Sequence, residues 1–294
     1  MDTSKNYAIC VLSCFKDKIN GTHDAIMATW GKDVPSSWDL RIFMGGSSWI
    51  PEQDPTVLDF VGEPGTLAHM DAKKAAPTPR TDLPLLPEEV VLPDAPDTYL
   101  GLAWKGQVMR QWAIDQGYQG VFIAMADTFI RVKRLVGAYS MRDHDVVAQV
   151  FPAGASKAYP IKNCPCPHGG HGYWLSRKAM MAIAEDPVRH YSEDQNVAFA
   201  LHAHNIPLFS DGRLNSHRPE MDFSTITLHL STKGQAWDPS AIMLQYNNDR
   251  TRKQQFPSWD GMCHKCGGIE FKKGVYGPRC LTCGSPYAAQ GRNK

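Results

Sequence analysis

One apolar run organises the hydrophobic pattern of this chain. Gly120-Val121-Phe122-Ile123-Ala124-Met125-Ala126 stops on Asp127 and resumes as Phe129-Ile130-Arg131-Val132. A run without polar alternation predicts a strand buried on both faces, in the middle of a parallel or mixed sheet. Asp127 then stands at the carboxyl end of that strand, the edge at which open α/β sheets bind ligands. A carboxylate there suits a metal ion or a sugar hydroxyl, and it equally suits the cap of a helix over 132–139.

The flanking segments read as alternating strands and helices. Tyr7 to Phe15 predicts a first buried strand, Thr22 to Trp30 a helix, and Trp38 to Met44 a second strand ending at Gly45-Gly46. Residues 51–96 are proline-rich with little periodicity and read as a surface excursion, with Val90-Val91-Leu92 as a short strand. Apolar positions Leu100, Ala103, Trp104, Met109 and Trp112 place a helix over 97–116. Past Asp127, the pattern predicts a strand over 145–151 and a helix over 176–185. A further helix over 197–204 is opened by Ser192-Glu193-Asp194-Gln195-Asn196. Glu193 and Asp194 there could complement the helix dipole, or one of them could take a proton from a hydroxyl nucleophile. Glycines 169, 170 and 172 let the backbone approach a ligand or form a tight turn. The order of elements is that of an α/β domain.

Composition narrows the partners. The 294 residues carry a formal net charge of +1, so no global field draws the chain to nucleic acid or an acidic membrane. The N-terminal apolar stretch is too short for a membrane span and lacks a signal-peptide pattern. Four of the eight cysteines fall in two CxxC pairs, and no spread-out disulfide framework is visible, which suits a reducing, cytoplasmic setting.

The C-terminal pattern is the sharpest metal signal. Cys263-x2-Cys266, thirteen intervening residues, and Cys280-x2-Cys283 match a zinc ribbon, in which four thiolates make a closed tetrahedral Zn2+ site. Lys265, Lys272, Lys273, Arg279, Arg292 and Lys294 make this segment basic, which suits contact with nucleic acid. The division expected is a main domain over 1–255 and a zinc module with a basic tail over 256–294. Cys164, Cys166, His168 and His171 form a second, irregularly spaced cluster that suits a metal or simple turn chemistry.

Five blocks in order resemble the β-1,3-galactosyltransferase and Fringe glycosyltransferases. Ala25-Ile-Met-Ala-Thr-Trp-Gly31 looks like "IRxTWG", and Asp97 to Lys105 looks like "DxYxNLTxK", followed by a similarly placed Trp112. Residues 121–136 are similar to the strand that carries the family's Asp-rich metal motif. Tyr159-Pro160 with Gly169 to Ser176 looks like "YPxYxxGxGYVLS", and Glu193 to Ala198 falls where the family has "EDVxVG".

The resemblance implies a GT-A fold with a mixed sheet flanked by helices, and inverting transfer of a sugar from a nucleotide-sugar donor with Mn2+ or Mg2+. It makes Asp194 the general base, with Glu193 as the next candidate, and Asp127 the holder of metal and donor. His229, or secondarily His217, would be the histidine that reaches the metal, and Thr29, Lys105, Gly170 and Gly172 would lie at the donor. Met125 and Ala126 replace two acidic positions of the metal motif, a departure that bears on whether metal is needed. For an acceptor, a cytoplasmic enzyme with a basic module suggests double-stranded DNA bearing hydroxylated or hydroxymethylated pyrimidines, as in phage genomes that carry sugars, with base exposure by flipping or groove access. A surface glycan or protein acceptor is the alternative, as is a non-catalytic nucleic-acid-binding or scaffold protein that keeps the fold.

Overall fold

A computed structural model describes residues 6–47, 79–98, 101–151, 165–188, 192–214, 225–230, 239–255, 271–274 and 277–280. The strands are β1 (Tyr7–Leu12), β2 (Trp38–Ser47), β3 (Glu89–Pro96), β4 (Gly120–Met125), β5 (Thr128–Ile130), β6 (Val146–Ala148), β7 (Val150–Phe151), β8 (Cys166–Pro167), β9 (Tyr173–Ser176), β10 (Leu208–Ser210), β11 (Thr227–His229), β12 (Phe271–Gly274) and β13 (Gly277–Cys280). The helices are α1 (Phe15–Ile19), α2 (Thr22–Ala28), α3 (Leu102–Asp115), α4 (Val132–Gly137), α5 (Arg177–Glu185), α6 (Glu193–Ala203) and α7 (Ser240–Gln255).

Seven strands form one mixed sheet in the order β10-β6-β9-β4-β1-β2-β3. β4, β1, β2 and β3 are parallel, β9 runs antiparallel between β4 and β6, and β10 pairs parallel with β6. The apolar run at 120–126 is thus a central strand, as its pattern requires. Its side chains alternate between two cores: Phe122 and Ala124 pack with Ile9, Val11, Ile26 and Trp30 on one face, and Val121 and Ile123 with Met109, Met180 and Val197 on the other. Helices cover both faces, the arrangement that lets a strand be apolar throughout.

Several boundaries differ from the sequence pattern, each for a physical reason. The first strand ends at Leu12, and Phe15 opens α1 with its N–H donated to the Asp97 carboxylate at 2.7 Å. The α2 helix stops at Ala28 and tightens into a 3-10 turn over Trp30–Asp33. β2 continues through Gly45-Gly46 to Ser47, because the glycines let β3 come close: a Cβ on Gly45 would lie 2.5 Å from the Asp97 backbone nitrogen. The last eight residues of the expected surface excursion are the edge strand β3, whose pairing with β2 shifts register between Leu92 and Pro96, the stretch that holds Pro93. The following helix begins at Leu102 instead of 97, since Asp97 ends the preceding segment as a buried acceptor. The strand expected over 145–151 splits into β6 in the main sheet and β7, paired with β8.

The α7 helix, which the hydrophobic pattern did not announce, is tied down by Asp249, which receives Arg131 Nε at 2.6 Å and Nη2 at 3.0 Å. β12 and β13 pair antiparallel, with Phe271 opposite Cys280, the first cysteine of the second CxxC pair. Cys263, Cys266 and Cys283 lie outside the described residues, as do Tyr159-Pro160, Cys164 and His217. Among the described residues no helix is long and apolar enough to cross a membrane.

Candidate functional site

The site gathers at the carboxyl end of β4. Met125 is the last residue of that strand, Asp127 lies in the turn, and β5 follows at once. β11 pairs antiparallel with β5 so that His229 falls opposite Thr128, one residue from Asp127. His229 Nε2 and Asp127 Oδ2 are 3.0 Å apart, and each side chain is 24% exposed, which leaves both reachable by a ligand. The Leu230 N–H donates to the Asp127 carbonyl at 2.9 Å and pins the turn.

Asp194 reaches the same place from α6. Its Oδ1 accepts the Gln195 N–H at 2.9 Å and the Ser192 hydroxyl, and its Oδ2 accepts the Gly169 N–H at 3.4 Å. Burial pushes its carboxyl above the usual range; Ser192's hydroxyl opposes the shift and the neighbouring Glu193 charge adds to it. A raised carboxyl is better matched to proton abstraction near neutral pH.

The turn Gly169–His171 joins these two groups. A Cβ on Gly169 would be 3.5 Å from Asp194 Oδ2, and one on Gly170 would be 2.9 Å from the His229 ring. The Gly170 carbonyl accepts the Thr128 hydroxyl at 3.1 Å, and the His171 carbonyl accepts that of Thr227 at 2.5 Å. Asp127, His229 and Asp194 therefore flank one glycine pair.

The other expected site residues have different surroundings. Lys105 is 1% exposed, and its ammonium is held by the Ser13 carbonyl at 2.5 Å and by Asp97 Oδ1 at 3.1 Å. Thr29 is buried, with its hydroxyl donated back to the Ala25 carbonyl at 2.6 Å. Gly172 has φ +74°, and a Cβ there would meet the Phe122 ring at 2.7 Å, so glycine is required by the turn and by packing. Glu193 is 1% exposed and has both oxygens engaged, one by Arg110 and one by the Tyr173 hydroxyl at 2.5 Å. A carboxylate so enclosed has no open face for an acceptor hydroxyl, and of the two acidic residues only Asp194 lies against the glycine turn. Arg110 and Tyr173 were not among the residues singled out by sequence; an arginine on a helix face gives no local sign of a buried partner 83 positions away.

Of the second cysteine-histidine cluster, Cys166, His168 and His171 are among the described residues and Cys164 is not. Cys166 is buried with its Sγ toward the Asp194 carbonyl at 3.4 Å, and the His168 and His171 rings stack at 3.6 Å. Among the described residues no group of three His, Cys, Asp or Glu side chains is arranged to hold a metal ion. Asp127 and His229 offer two donors, while Met125 and Ala126 offer none. One carboxylate and one imidazole are two donors, fewer than a closed protein site needs, so an ion held there would take its other ligands from water or a bound phosphate.

Comparison with known proteins gives no assignment. No family model matches the chain, and no curated protein matches it. Among solved structures it is similar to the inositol-1-phosphate CTP transferase from T. maritima, at 11% identity and a TM-score of 0.42, over 84% of this chain and 98% of that one. A similarity that low carries no argument about activity. What stands for this chain is its own geometry, a mixed α/β sheet flanked by helices with acidic and imidazole groups at its carboxyl edge.

Proposed function

We propose that the chain is a GT-A-type glycosyltransferase that moves a sugar from a nucleotide-sugar donor to a hydroxyl with inversion. The observation that carries this reading is the convergence of Asp194 and the Asp127–His229 pair on Gly169-Gly170, at the ligand-binding edge of the sheet. Asp194 takes the acceptor's proton, which readies the oxygen to attack the anomeric carbon from the face opposite the leaving diphosphate. Asp127 and His229 would hold Mn2+ or Mg2+ together with the donor phosphates, and such an ion supplies charge neutralisation for the departing anion. The five ordered sequence blocks support the same reading.

The zinc ribbon at Cys263, Cys266, Cys280 and Cys283 belongs to this proposal as a gripping module. So does its acceptor, DNA with hydroxylated or hydroxymethylated pyrimidines, since a basic module favours a polyanion.

The test incubates the protein with UDP-, GDP- and dTDP-hexoses and Mn2+ or Mg2+. The acceptors are hydroxymethylpyrimidine DNA, unmodified DNA and a simple oligosaccharide. Sugar transfer is expected, and Asp194→Asn should lower it by at least about a hundredfold while donor binding persists. Neither binding nor hydrolysis of any donor would overturn the enzyme reading in favour of a scaffold that keeps the fold. Sugar on the oligosaccharide and on neither DNA would remove the DNA acceptor alone.

A further inference from the structure

Asp194 and Glu193 are adjacent, yet their carboxylates have opposite surroundings. Glu193 is the first residue of α6, and Ser192 before it makes no side-chain cap bond to the helix. Within the helix start, Asp194 accepts the Gln195 N–H and Asn196 donates to the Ser192 carbonyl, while Glu193 ties that start to two other elements. One carboxylate oxygen is ion-paired with Arg110 of α3, and the other accepts the Tyr173 hydroxyl of β9 at 2.5 Å. All three side chains are almost wholly buried. Gly106, one turn before Arg110, lets α3 pass close by, since a Cβ there would lie 2.7 Å from Glu193 Cγ. Three elements from distant parts of the chain thus converge on the residue next to Asp194.

This arrangement is poor value as a stability device. Arg110 Nε is buried without a hydrogen-bond partner among the described residues. Buried ion pairs with incomplete hydrogen bonding are commonly no more stable than apolar side chains of equal volume.

We propose that Arg110 and Tyr173 are positioning residues that act through Glu193 to fix Asp194 against the Gly169 turn. The proposal rests on the reading of Asp194 as the base. A base works only within hydrogen-bond reach of the hydroxyl it deprotonates, and a displacement of about 1 Å can cost on the order of a hundredfold in rate. Glu193 fixes the main-chain start of α6, while Ser192 and the Gly169 N–H set the Asp194 side chain. Tyr173 also ties the sequence block of the glycine turn to that of the acidic pair, so one hydroxyl registers both halves of the site.

The experiment compares Tyr173→Phe, Arg110→Lys and Arg110→Met with the parent protein. It measures kcat and KM on nucleotide-sugar turnover, donor binding by calorimetry, and melting temperature. Tyr173→Phe should keep its fold and donor affinity while kcat falls by about tenfold or more at unchanged KM. Arg110→Lys, which keeps the charge, should recover part of the kcat that Arg110→Met loses. If Arg110→Met does not fold, Tyr173→Phe and Arg110→Lys decide the matter. Parent-like kcat in both, or activity that falls only in step with the folded fraction, overturns the positioning role and leaves Asp194 as the base. A parent protein inactive on every donor overturns the reading of Asp194 and this inference with it.

Discussion

Removing the Lys105 ammonium tests whether this residue builds the fold or meets a ligand. Lys105→Met keeps the length and apolar stem but takes away the cationic partner of Asp97, whose side chain is 1% exposed. Asp97 would still accept the N–H groups of Phe15 at 2.7 Å and Gly45 at 2.8 Å, so its charge would be solvated by two dipoles and neutralised by none. The Ser13 carbonyl would lose its 2.5 Å donor as well. Breaking a buried pair by removing one member costs about 3–5 kcal/mol. With roughly 2–4 °C of melting temperature per kcal/mol for a chain of this order, the loss is about 6–20 °C. Urea unfolding followed by tryptophan fluorescence should show a lower midpoint at an unchanged slope. The structural account is refuted if stability falls by less than about 1 kcal/mol while nucleotide-sugar binding is abolished, because the ammonium would then have been serving a ligand instead of Asp97.

Three further outcomes are expected. His23 lies between the Ser13 hydroxyl at 2.7 Å and Glu89 at 2.6 Å, and burial, outweighing Glu89, holds its pKa below 6.5. Its neutral form is therefore fully favourable above pH 6.5, and stability should fall as pH drops below that value while the unfolded chain takes up the proton; His23→Gln should flatten that limb of a melting-temperature profile. Gly172→Ala should lower stability by roughly 1–3 kcal/mol through its positive φ and the Phe122 contact, and a parent-like unfolding midpoint would contradict the strain argument. Cys263→Ser should release about one zinc per chain and unfold residues 259–286 with the main domain intact, which metal analysis and limited proteolysis would read; a native protein without zinc ends the ribbon proposal.

The sequence by itself determined the elements whose signal is local. The unbroken run at 120–126 read as a doubly covered strand, and the apolar spacing at 103, 109 and 112 as a helix face, and both are found. It also placed Asp127 at the strand end and Asp194 at a helix start, because both positions follow from the ends of periodic patterns. Nothing local could tell Glu193 from Asp194, since the two differ only in what surrounds them after folding. Tertiary structure set that difference by bringing Arg110 and Tyr173 onto one carboxylate and the Gly169 turn onto the other. It likewise turned Lys105 inward, since its partner Asp97 is fixed by backbone N–H groups from α1 and β2. His229 came to Asp127 only through the β5–β11 register across 102 positions, a pairing decided by strand ladders that no sequence window contains.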